Sequence, residues 1–99
     1  MYVVFRVDPP GEGGDVFALF PETPGGAYGE DFCMSYQDLG GHAAADYQGC
    51  VARSRPARPD EYTPMLARLS EMGYEGLVVR ERATREMHER RRREAAEGR

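Results

Sequence analysis

Five residues able to do chemistry fall within one short stretch of the chain: Cys33, Asp38, His42, Asp46 and Cys50. Imidazole combined with carboxylates or thiolates is a donor set for zinc and other divalent ions. Asp38, His42 and Asp46 recur at every fourth position, the spacing of one helical face. Gly40-Gly41 breaks that helix, however, and the paired short-range ligands of a zinc ribbon are missing. The same residues also suggest a thiol nucleophile, with Cys33 or Cys50 attacking, His42 as base, and Asp38 or Asp46 orienting the ring. Neighbouring acids raise a thiol pKa, which works against activation. In the plainer reading Asp38 closes a turn, His42 lies at the surface or in a cap, and both cysteines pack as small hydrophobes. A metal- or thiol-dependent enzyme using Cys33, His42, Asp46 and Cys50 is therefore an alternative, and the leading expectation is a protein without catalysis, metal or cofactor.

Charge is more informative. All 13 basic residues are arginine, so there is no lysine for a Schiff base or a Walker-type phosphate loop. The glycine-rich stretches 11 to 14 and 25 to 29 stand among acids that repel an anion, and read as turns. Residues 1 to 50 carry a net −7, residues 51 to 83 carry +1 and residues 84 to 99 carry +2, giving the overall −4. This polarity points to docking on a basic surface through acidic loops containing Glu12, Asp15, Glu22, Glu30 and Asp31, with Tyr28 and Phe32 as aromatic contacts. The run Arg90, Arg91, Arg92 and Arg93, with Arg85 and Arg99, supplies a nucleic-acid-binding alternative. Consecutive residues point around a helix rather than along one face, so a solvated helix or a protein-docking arm competes with that reading.

The elements that would hold these residues are legible in outline. Tyr2 to Val7 is apolar on both alternating sets, the mark of a buried strand. Asp15 to Phe20 repeats the signature after a turn cluster and makes a hairpin with it. Phe32 to Tyr36 reads as a third strand, HAAAD (42 to 46) as a short helix, and Gly49 to Arg55 as a fourth strand. Tyr62, Met65, Leu66, Leu69 and Met72 define an amphipathic helix starting at Pro59 or Pro64, with Gly73 as its C-terminal cap and Tyr74 packing back. Gly76 to Arg82 is the last strand, and Thr84 caps a charged final helix whose only sizeable apolar side chain is Met87.

The expectation is an α+β fold, in the order β-β-β-β-α-β-α. An antiparallel sheet of four to five strands carries one helix on a face, with residues 1 to 83 as the domain and 84 to 99 as a charged helix or arm. Two cysteines and no long apolar stretch suggest a cytoplasmic protein with reduced thiols and no membrane contact. A second copy of the chain is a further candidate partner, because a sheet with two apolar faces and one helix leaves a face to cover.

The segments GDVFALFPE (14 to 22), SYQDLGGHAAADY (35 to 47), RPARPDEY (55 to 62) and MGYEGLVVRER (72 to 82) resemble a family of small, functionally uncharacterised bacterial and phage-type proteins. That family often carries two histidines near 38 to 42, where this chain has Asp38 and His42. The resemblance implies no activity. Size and charge, by analogy, also fit an inhibitor from a phage or mobile element, such as an anti-CRISPR protein.

Overall fold

A computed structural model describes residues 1–9, 14–26 and 30–98. The apolar N-terminal run becomes β1 (Tyr2–Val7), in which Val3, Val4, Phe5 and Val7 are all buried. It pairs antiparallel with β2 (Val16–Pro24), β2 with β3 (Cys33–Gln37), and β3 with β4 (Gly41–Ala45). Two short strands divide the outer edge of β1. In β5 (Arg55–Pro56) the two residues lie antiparallel opposite Val7 and Arg6, and in β6 (Val78–Val79) they lie parallel opposite Tyr2 and Val3. One six-residue edge therefore serves both, and Gly76 to Arg82, expected as a full strand, contributes two residues.

The α+β class is as expected, with six strands and three helices among the described residues. Two local expectations are corrected. The alanines of 42 to 46 are in a strand, not a short helix: continuous pairing of Gly41 to Ala45 with Cys33 to Gln37 outweighs their helix propensity, and Gly41 turns the chain into β4 with a φ of 66°. Gly49 to Arg55, expected as a strand, lies mostly in α1 (Tyr47–Arg53). Tyr47, Cys50 and Val51 pack into one cluster, which is the i, i+3, i+4 spacing of a helix. A Cβ on Gly49 would lie 2.6 Å from Asp46 Oδ2, so glycine lets that carboxylate fold against the first turn of α1.

Helices cover both faces of the sheet. On one, α2 (Pro59–Glu71) buries Met65 and Leu69 against Val3, Phe5, Ala18, Phe20 and Tyr36. Pro59 opens α2 as the first of the two starts allowed, and Glu61 accepts a 2.9 Å bond from the Arg58 N–H. At the other end Gly73, with φ of 109°, reverses the chain so that Tyr74 donates its N–H to Leu69 and stacks on Phe20 at 5.0 Å.

The other face holds Val4, Phe17, Leu19 and Cys33 under α1 and α3 (Arg85–Glu97). The final helix, set apart in the sequence as a charged helix or arm, packs on β2 at this face. Thr84 caps it as expected, accepting from the Met87 N–H at 3.3 Å, while Met87 and Arg91 are buried. Among the described residues the ion pairs along it are Arg85–Glu89 and Arg90–Glu94. Each contributes a few tenths of a kcal/mol, so burial of Met87 and Arg91 is what holds the helix down. No helix among the described residues is long and apolar enough to cross a membrane.

Candidate functional site

The sheet separates Asp38 and His42 from Cys33 and Cys50, while Asp46 stays beside Cys50 and its carbonyl accepts the Cys50 N–H at 2.9 Å. Cys33 and Cys50 are buried in the layer under α1 and α3. His42 lies on the α2 side, where Nε2 bonds the Tyr74 hydroxyl at 2.8 Å and the ring packs 5.0 Å from Tyr36. Asp38 pairs with Arg68 of α2 at 2.5 Å, and Asp46 is exposed ahead of α1. Among the described residues no three His, Cys, Asp or Glu side chains form a metal-binding group. Burial is the main cause that raises both thiol pKa values, Cys33 to about 11.

Cys33 should therefore resist iodoacetamide at pH 8 in native protein and react within minutes in 6 M guanidinium. Fast native alkylation would refute this placement. Linkage gives the sign of the accompanying pH effect. The folded thiol holds its proton above the ordinary value of 9.0, so its contribution to stability is complete below pH 9 and is lost as pH rises towards about 11.

The acidic loop residues do not form one surface. Asp15 is exposed beside the β1–β2 connection and Asp31 beside the β2–β3 connection, which lie at opposite ends of the antiparallel sheet. Glu22 is occupied internally, accepting the Tyr2 N–H at 2.9 Å and lying 3.6 Å from Arg90. The Glu30 carbonyl accepts from Arg91, and the Phe32 carbonyl from Gly25. Glu12 and Tyr28 lie outside the described residues, as does Arg99.

The four arginines also diverge. Arg90 pairs with Glu22 and Glu94, and Arg93 borders a separate mixed-charge hollow beside Tyr2 and Thr84. Arg91, expected as a phosphate contact, is 2% exposed and belongs to the interior: Nη1 donates to the Pro21 carbonyl at 2.9 Å and Nη2 to the Glu30 carbonyl at 3.3 Å. Arg92 turns into a cleft.

That cleft, of about 530 Å³, lies between α1, α3 and the 81 to 83 segment. Arg6, Arg82, Arg85 and Arg92 line it together with His88 and Tyr47. Arg85, His88 and Arg92 stand at i, i+3 and i+7, one face of α3. Arg85 is bonded to Glu89 at 3.1 Å, whereas Arg82 and Arg92 have no carboxylate partner among the described residues.

Arg6 is 6% exposed, a charge set in an otherwise apolar strand. Its Nε donates to Ser54 Oγ at 3.0 Å, and Nη2 donates to the carbonyls of Val51 and Ser54 at 3.0 and 2.6 Å. It thus caps the C-terminal, partially negative end of α1. No carboxylate bonds it, and Nη1 makes no bond among the described residues. Burial, reinforced by Arg82, lowers its pKa against the opposing pull of Tyr47 and Glu81.

His88 is half-buried, edge-on to Tyr47 at 4.8 Å, and its Nδ1 lies 2.6 Å from Arg91 Nη1. Arginine has no lone pair to offer, so Nδ1 is the acceptor and the neutral ring carries its proton on Nε2. Burial, then Arg91 and Arg92, lower the His88 pKa and keep the ring neutral.

Sequence reasoning named Arg85 with the arginine run and passed over Arg6, Arg82 and His88 as site residues. Two signals were available: a lone charge inside YVVFRV, and the Arg85, His88, Arg92 spacing on a helix. The cleft can take up an anion, with guanidinium donors on its walls and floor. No family model, curated protein or solved structure matches this chain, so the chemistry of the cleft rests on its own side chains.

Proposed function

We propose that this protein is a non-catalytic binding protein whose α1–α3 cleft takes the phosphate backbone of a single-stranded nucleic acid. The observation that carries this reading is the set of four guanidiniums lining one cleft, two of which, Arg82 and Arg92, have no carboxylate partner among the described residues. Arg85 and Arg92 are seven residues apart, about 10 Å along the helix. Cations that far apart meet different phosphates of one strand, a spacing suited to a polyanion. The acidic-loop reading, and with it an inhibitor of the anti-CRISPR kind docking on a basic surface, has less support, since Asp15 and Asp31 face opposite ends of the sheet and Glu22 is internally bonded.

The test is fluorescence anisotropy of a labelled single-stranded 12-mer titrated with the protein across a salt series. Each phosphate contact contributes about 0.7 to the slope of log affinity against log salt for single strands. Arg82→Gln combined with Arg92→Gln should weaken binding and flatten that slope by about 1.4. No binding at low salt, or an unchanged slope in the double variant, would overturn the reading.

A further inference from the structure

We infer that the floor of this cleft is a receptor for a terminal phosphomonoester, so that the protein recognises the phosphorylated end of a strand. This rests on the reading of the cleft as a nucleic-acid site and adds where along the strand it binds.

Depth is the first argument. Arg82, Arg85 and Arg92 are exposed and reach a backbone passing across the mouth. Arg6 is 6% exposed, and its Nε and Nη2 are already committed to Ser54 and Val51, leaving Nη1 as the donor for a ligand. An internal phosphodiester is tethered on both sides and keeps its ester oxygens in the plane of the backbone. A terminal phosphate is tethered once and can enter end-on.

Charge is the second argument. The four lining guanidiniums, set against Glu81 in the lining and Glu89 on Arg85, leave a surplus of +2. A phosphomonoester carries about −1.5 to −2 at neutral pH, whereas a diester carries a single charge.

The third argument is donor geometry. With Nδ1 turned to Arg91, the Nε2–H of His88, a residue that lines the cleft, is the ring donor left for a ligand. Arg6 Nη1 and His88 Nε2 thus offer fixed donors, held by the α1 carbonyls and by Arg91, and pre-organised donors lose little on binding. Arg91 is a positioning residue here, out of reach of the ligand.

Two matched pairs of single-stranded 10-mers test the inference: 5′-phosphate against 5′-hydroxyl with the label at the 3′ end, and 3′-phosphate against 3′-hydroxyl with the label at the 5′ end. One phosphorylated end should bind at least tenfold more tightly than its hydroxyl counterpart, and the two pairs show which end it is. Inorganic phosphate at millimolar concentration should erase the preference. Arg6→Gln, which keeps a donor for the α1 carbonyls, should also erase it, lowering affinity for the phosphorylated strand more than for its hydroxyl-ended counterpart. Equal binding within both pairs would overturn the end-recognition inference and leave the polyanion reading standing. Absence of binding by all four strands would remove both.

Discussion

A chain ending at Thr84 is expected to lose cooperative folding, although the residues removed are mostly charged. The missing α3 covers Leu19 and Cys33, both 0% exposed in the intact fold, and brings Met87 into the layer at 5% exposure. Losing the burial of Met87 costs about 2 kcal/mol. The buried carbonyl of Pro21 loses its arginine donor, at about 1–3 kcal/mol for a buried group left unpaired. Re-exposed Leu19 and Val4 add further apolar area. Together these losses rival the roughly 5–15 kcal/mol that stabilises a small domain. Urea unfolding followed by circular dichroism and tyrosine fluorescence should show no sharp transition for the truncated chain. A cooperative transition at the full-length midpoint would mean that α3 is an arm after all.

Arg91→Met is expected to be the most damaging single change on that face, costing about 2–4 kcal/mol. Methionine replaces much of the side-chain volume and removes the desolvation cost of a buried charge, but it donates nothing to Pro21 or Glu30. Arg91 is not fully satisfied by the described residues even in the native fold, since among them its buried Nε has no partner. The loss therefore comes from the stranded Pro21 carbonyl and from His88, whose Nδ1 loses the donor that fixes its proton on Nε2. A shift of the urea midpoint with an unchanged slope checks the energy. The His88 ring nitrogens, followed by NMR, should move to a mixed tautomer. If Arg91→Met melts with the wild type, the buried guanidinium contributes nothing. Arg91→Lys should fall short of wild type too, because an ammonium cannot span three acceptors as a planar fork does.

Such effects were hard to foresee because a helical arginine run looks the same whether it is solvated or buried. Periodicity revealed β1, β2, β3 and α2, where apolar side chains outnumber polar ones on the inward face. It failed for α3, whose inward face is made of Met87 and Arg91 and whose anchor points, Pro21 and Glu30, lie about sixty to seventy residues away. The exchange of strand and helix across 42 to 55 has a different origin. Alanine favours a helix in isolation, and only the register with Cys33 to Gln37 makes it a strand. The candidate cleft was the least legible part. Arg6, Arg82, Arg85, His88 and Arg92 come from three separate segments, and without the fold only the three residues of α3 have a spacing to detect.

The shared outer edge of β1 has a kinetic consequence. The β1–β2–β3–β4 meander closes through short connections, whereas Tyr2 must find Val78, and Arg6 must find Pro56, across most of the chain. Non-local closure of this kind is slow because the entropy of the intervening chain is lost before the contact repays it. Refolding from denaturant should therefore populate a meander whose Tyr2–Val3 edge is open, with its backbone donors and acceptors unpaired. Such an edge is a template for another chain. The yield of native protein should fall as concentration rises, and the aggregates should form before β6 docks rather than from the finished fold.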